Sequence, residues 1–468
     1  MSRAVYSGGA FYQVSVTGGG FEQLSQVGSG HHRIIGITLI GTTAASQLNI
    51  SLKSAQPAFG SANTVLQIGK INVVSGLLGG INAAGAANLV GNISTLNDSV
   101  QTISLNNLGP NSVISVNGSV GTFSVGNINL SANGLVNISG GVTGAFSTGG
   151  VNLNGGRILL GGLGTVGLSL GGLSIEQGGQ FLISDDLGGS SNLGPVDING
   201  GRFLVGQDVN GSITTGDFTL ENTGQFVVGR DITGMVQVNG FVTIKGNSVL
   251  QVGRDLDGAA MISGNLNLDS GGSISVGRNV NTLTINGNLR FTPTAGTINI
   301  GGNVGGLTIT GLYQGRANTS MAAPEFIVGL DLNNLTVLGG AAGQGGIENA
   351  NISVDKDILG LDVAHGVFNS LITAGVLIDG SPQNSQPGGN ISPDGTDAVF
   401  DSQILAGQTI NNFEIDGNVH SDWVTNPTPT GLPTRIIAGE NRDGSWTSGG
   451  LIDNFQITGA LIDAVLAA

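Results

Sequence analysis

The chain has 468 residues and no cysteine. That absence excludes a disulfide scaffold and any cysteine-based metal centre. Charged residues make up only 10% and aromatic residues 4%. Scarce aromatics suit a narrow interior in which Val, Ile and Leu stack best. Glycine is abundant, at 84 residues, but no collagen-like triplet runs through them. Residues 1–20 show no basic stretch followed by an apolar core, so no secretory signal is visible there. Residues 73–91, VVSGLLGGINAAGAANLVG, are uncharged and invite a membrane reading. Asn82, Asn88 and five glycines favour a glycine-rich repeat stretch instead.

The net charge of −15 is unevenly spread. Residues 1–180 hold five basic and three acidic groups, net +2, and the remainder holds 10 basic and 27 acidic groups, net −17. Such acidity argues against a nucleic-acid partner. The nearly chargeless first part is either a hydrogen-bonding polar surface or one covered by another copy.

One phrase recurs six times: FLISDDL, FLVGQDV, FVVGRDI, LQVGRDL, ISVGRNV and INIGGNV. The position of Ser184 returns at Gly206, Gly229, Gly253, Gly277 and Gly301, in steps of 22, 23, 24, 24 and 24 residues, with a weaker copy at Gly329. A fixed period of this size predicts a solenoid, one coil per repeat. One residue before the glycine stand Ile183, Val205, Val228, Val252, Val276 and Ile300. Three before it stand Phe181, Phe203, Phe226, Leu250, Ile274 and Ile298. The residue between them varies, so each segment reads as a strand with one buried face. Apolar residues return three after the glycine, from Leu187 to Val304. Further strands are read at Leu283–Ile285, Leu307–Ile309, Leu266–Leu268 and Leu289–Phe291.

The expected fold class is therefore all-β, a parallel β-helix or β-solenoid with three short strands per coil of about 22–24 residues, right-handed because parallel crossovers take that hand. At about 23 residues per coil the length predicts about 20 coils. Gly-Arg-Asp, Gly-Gln-Asp and Asn-Gly are expected to supply left-handed backbone at the bends. Four segments are expected. Residues 1–60 form a β cap or a strand-exchange segment. Residues 61–180 are uncharged, glycine-rich coils, and 181–310 regular coils. Residues 311–468 are coils interrupted by loops, with six of the 11 prolines between 382 and 433.

Several groupings invite a chemical reading. Asp208, Asp231, Asp255, Asn279 and Asn303 stack one coil apart, with Arg230, Arg254 and Arg278 placed to offset repulsion. Turn structure explains them better than calcium, because the calcium β-roll pattern is missing. Asn390–Asp397 with Asp401 reads as a solvated loop, and His31–His32 as surface. Asp185–Asp186 and Asp362 with His365 are the best catalytic fragments, but no Arg or Lys lies near His365. No catalytic, cofactor or metal residue is assigned, and calcium is the one cofactor considered.

The motifs VGRDI, VGRDL, SVGRNV and IGGNV resemble the β-helical stalks of bacterial surface proteins, of the filamentous-haemagglutinin and autotransporter-passenger kind, though the NPNG secretion motif is missing. The resemblance implies a non-enzymatic structural protein, self-assembling as a filament, fibre or sheath at a microbial surface. Its expected partner is itself, head to tail and laterally, with a surface polysaccharide as a further candidate. The alternatives are a β-helix polysaccharide lyase or hydrolase, and a viral tail-fibre, tailspike or adhesin stalk. Two groups are expected to self-associate. Phe11, Tyr12, Val14 and Val16 form an N-terminal strand that pairs with a neighbour. Leu182, Leu204 and Val227 form an outward apolar row.

Overall fold

Short strands with one apolar face cannot bury that face alone, so they stack. The computed structural model is all-β, with parallel strands stacked as a β-solenoid of about 12 turns and no helix among the described residues. At the level of fold it resembles β-helix repeat proteins. The structure describes residues 2–7, 10–27, 34–55, 65–96, 99–292, 296–316, 324–339, 346–364 and 366–375, then only short strands between 391 and 467. Two compact units are present: residues 1–215 with 224–229, and residues 216–223 with 230–468.

In the first unit, strands Arg157–Leu160, Gln180–Ile183, Arg202–Val205 and Gln225–Val228 pair in parallel and in register. Each pairs with the third strand after it, which makes three strands per coil. Phe181, Phe203 and Phe226 form one inner column, with ring centroids 5.3 and 4.8 Å apart. Such ring pairs add about 0.5–1.5 kcal/mol beyond area burial. Ile183, Val205 and Val228 form the next column, fully buried. The second unit repeats the pattern at Val249–Val252, Ser273–Val276, Thr297–Ile300 and Phe326–Val328. There Val252, Val276, Ile298 and Ile300 are buried, whereas Leu250, Leu256 and Ile274 are only half-buried.

Two expectations need correction. Turns number about 12 rather than 20. Later coils are longer, since Ile372 pairs with Ile404 and Ile404 with Ile436, 32 residues on each time. The N-terminal segment also contributes antiparallel strands. The recurring glycine does not serve a left-handed bend either. Gly206, Gly229, Gly277 and Gly301 are not among the positive-φ residues. A Cβ there would sit 2.1–2.4 Å from the carbonyl oxygen of the equivalent residue one coil earlier. Close stacking of coils demands glycine at this point. Left-handed backbone falls at a different corner, at Gly155, Gly178, Gly200, Asn222, Asn247 and Ser270.

The N-terminal segment is antiparallel. Ala10–Thr17 lies between Ser2–Ser7 and Gln47–Ala55, and Phe21–Val27 pairs with Ile34–Thr42. Parallel pairing starts where Ile34–Thr42 meets Leu66–Gly76 and Gln47–Ala55 meets Gly80–Leu96. The uncharged run 73–91 thus lies in and between two strands. No helix among the described residues is long and apolar enough to cross a membrane.

If close stacking imposes glycine, Gly277→Ala lowers stability by about 1–3 kcal/mol, because the added methyl meets backbone that cannot yield. Gly164→Ala, whose Cβ would meet nothing within 4 Å, stays within about 0.5 kcal/mol. Thermal unfolding of both variants checks the contrast, and equal effects would contradict it.

Candidate interaction surface

The repeated turn aspartate has a structural task. A chain that bends leaves a backbone N–H without a strand partner, and a short Asp or Asn side chain reaches it. In the first unit Asp186 Oδ1 accepts from the Asp208 N–H at 3.0 Å. In the second unit Asp231, Asp255, Asn279 and Asn303 each accept through Oδ1 from the backbone N–H of residues 255, 279, 303 and 331, at 2.9–3.0 Å. Arg254 pairs with Asp231, and Arg278 Nη2 lies 2.5 Å from Asp255 and 3.8 Å from Asp231. These oxygens serve the ladder between coils. Among the described residues no group of three or more His, Asp or Glu is placed to hold a metal ion.

The catalytic fragments are not brought together as a site by the described residues. Asp186 belongs to the ladder, Asp185 is exposed, and Asp362 points outward from Ile358–Val363. His365, His31–His32 and Asn390–Asp397 with Asp401 lie at least partly outside the described residues.

The N-terminal association residues divide between two faces. Tyr12, Val14 and Val16 point inward and are buried, while Phe11 is 40% exposed and its ring lies 4.8 Å from that of Tyr6. Leu182, Leu204 and Val227 do form one outward row, in register and half-buried. Sequence reasoning missed that Leu159 begins this row, in register with Leu182. The signal was present: Arg157-Ile-Leu-Leu160 sits 23 residues before Gln180–Ile183.

It also missed Glu325, only 2% exposed. Its Oε1 accepts from the Asn351 N–H at 3.0 Å, its Oε2 from the Arg316 N–H at 3.4 Å, and Arg316 Nε stands 3.6 Å away. Burial outweighs these contacts and pushes the carboxyl from its ordinary 4.5 up to about 7. Burial, with Glu325 beside it, also pushes the Tyr313 phenol well up, and its hydroxyl has no hydrogen-bond partner.

Comparison with known proteins gives no match: no family model, no curated protein and no solved structure matches the chain.

A carboxyl raised on folding favours the folded state while protonated. Its contribution is complete below about pH 4.5 and is lost as pH rises through about 7. The span corresponds to about 3 kcal/mol. Glu325→Gln keeps an acceptor oxygen and removes the charge, so its stability gain over the native chain should grow from pH 5 to pH 8. Thermal unfolding across that range checks this, and a gain independent of pH would contradict it.

Proposed function

We propose that this chain is a non-enzymatic structural protein, the self-associating subunit of an extracellular filament, fibre or sheath on a microbial surface. One observation carries the reading: large apolar side chains gather, exposed, near the N-terminal strands. Phe11, Phe21, Leu52, Val74 and Leu77 are each 40–59% exposed. Ser2–Ser7 and Phe21–Val27 each pair on one side only among the described strands. Open strand edges beside exposed apolar residues are a template for another chain. A contact between unlike ends does not close on itself and so builds an open polymer.

Because Tyr12, Val14 and Val16 are buried in the chain's own strands, association needs no outward swing of Ala10–Thr17. The outward Phe11 and Phe21 suffice. Sedimentation velocity over a concentration series should show growth by mass action. Phe11→Glu with Phe21→Glu should raise the concentration needed by about tenfold or more, a loss above about 1.4 kcal/mol. Electron microscopy of native cells labelled for this chain should place it on surface fibres. A chain that stays monomeric, or labels only the cell interior, would overturn the proposal.

A further inference from the structure

The outward side of one strand per coil in the first unit carries two columns. One reads Arg157, Gln180, Arg202, Gln225, and the other Leu159, Leu182, Leu204, Val227. All four apolar residues are half-buried rather than covered. One strand earlier, at Leu135–Ile138, the equivalent positions are Leu135 and Asn137, and charge is absent.

The two arginines have no acid. Among the described residues no carboxylate pairs with Arg157 or Arg202, in a chain of net charge −15, and Arg202 Nε is buried without a hydrogen-bond partner. In the second unit, by contrast, Lys245, Arg254, Arg278 and Arg316 all have an acidic partner. Unpaired cations beside a row of leucines, four coils long, form a face that fits something both apolar and acidic.

The second unit presents such a face. Leu359 and Asp362 are exposed on the strand Ile358–Val363, Leu359 at 53%. Thr336 stands in register with Asp362, and Leu338, two residues on, is 48% exposed. Charge follows the same division: residues 1–180 are net +2 and the rest −17.

We propose that the Arg157–Leu159–Arg202–Leu204 face of one copy seats on the Leu338–Leu359–Asp362 face of a second copy, as a lateral contact within the assembly. This rests on the self-association reading and adds its lateral partner. Four rungs at about 4.8 Å span roughly 15–20 Å. That is small beside the roughly 800 Å² per partner of a stable interface. A single contact is therefore weak, and repetition along a polymer makes it effective. Because unlike faces meet, the contact propagates instead of closing a dimer. Exposed charge pairs are screened, so lateral association should weaken as salt rises from about 50 mM to about 500 mM.

A charge-reversal pair tests the contact. Arg157→Glu with Arg202→Glu makes one variant, and Asp362→Arg makes the other. Each alone should lose about tenfold or more in lateral association, read by light scattering and by fibre width in electron microscopy. An equimolar mixture should recover it, because each reversed face then meets its complement in the other variant. Unchanged thermal unfolding midpoints show that both variants still fold. If the native chain assembles and the variants bundle as it does, or the mixture fails to recover, the lateral contact is overturned while self-association stands. That outcome includes covering of the leucine row by the chain's own residues. If the native chain stays monomeric at every concentration and salt level, both proposals fall together.

Discussion

Parallel stacking in register is the constraint on which the rest of this structure depends. In a solenoid every backbone N–H and C=O of a strand is satisfied by the coil before or after it. Coils must therefore lie one strand spacing apart everywhere, bends included. At the bend of the VGRDI phrase, that spacing leaves no room for a Cβ over the preceding carbonyl, so glycine recurs. Two residues later the same spacing brings an Asp or Asn oxygen within reach of the next coil's N–H. Inside, it stacks like on like and gives the Phe181, Phe203 and Phe226 column. Outside, it turns any side chain repeated at the period into a row.

Period and alternation made much of the fold legible. The Val252, Val276, Ile300 column and the strands Leu283–Ile285 and Leu289–Phe291 stand where alternation puts them. What stayed hidden depends on distances that sequence does not carry. Glycine at a turn suggests backbone freedom, and only the packing of coils separates that from close approach. The turn count failed because 32-residue coils keep the apolar rungs and hide the added length between them. Glu325 gave no signal at all. Its burial arises from residues 316 and 351, nine and 26 positions away, closing over it. On the surface, Leu182, Leu204 and Val227 were readable as a row, but the absence of any acid for Arg157 and Arg202 was not.

A solenoid of this kind separates stability from recognition. Its core needs only apolar columns, which leaves the outward positions of each strand to carry function. Here those positions are mostly uncharged polar residues, interrupted by one arginine-leucine face in the first unit and one acidic-apolar face in the second. Neither is a cleft with converging titratable groups, the arrangement that chemistry on a bound substrate requires. Both are flat and repeat along the chain, as suits contact with another extended molecule, above all another copy.

Because the native chain has no cysteine, the stacking of outward rows is open to direct measurement. Leu182 and Leu204 are in register across neighbouring coils, and Gln180 is two residues out of register with Leu204. Cysteines at 182 and 204 would lie about 4.8 Å apart at the backbone, within the range a disulfide spans. Those at 180 and 204 would lie farther apart and on different columns. Mild oxidation of dilute protein, followed by denaturing electrophoresis without reductant, is expected to cross-link the first pair within the chain and leave the second free. Equal cross-linking of both pairs, or of the second alone, would contradict in-register stacking.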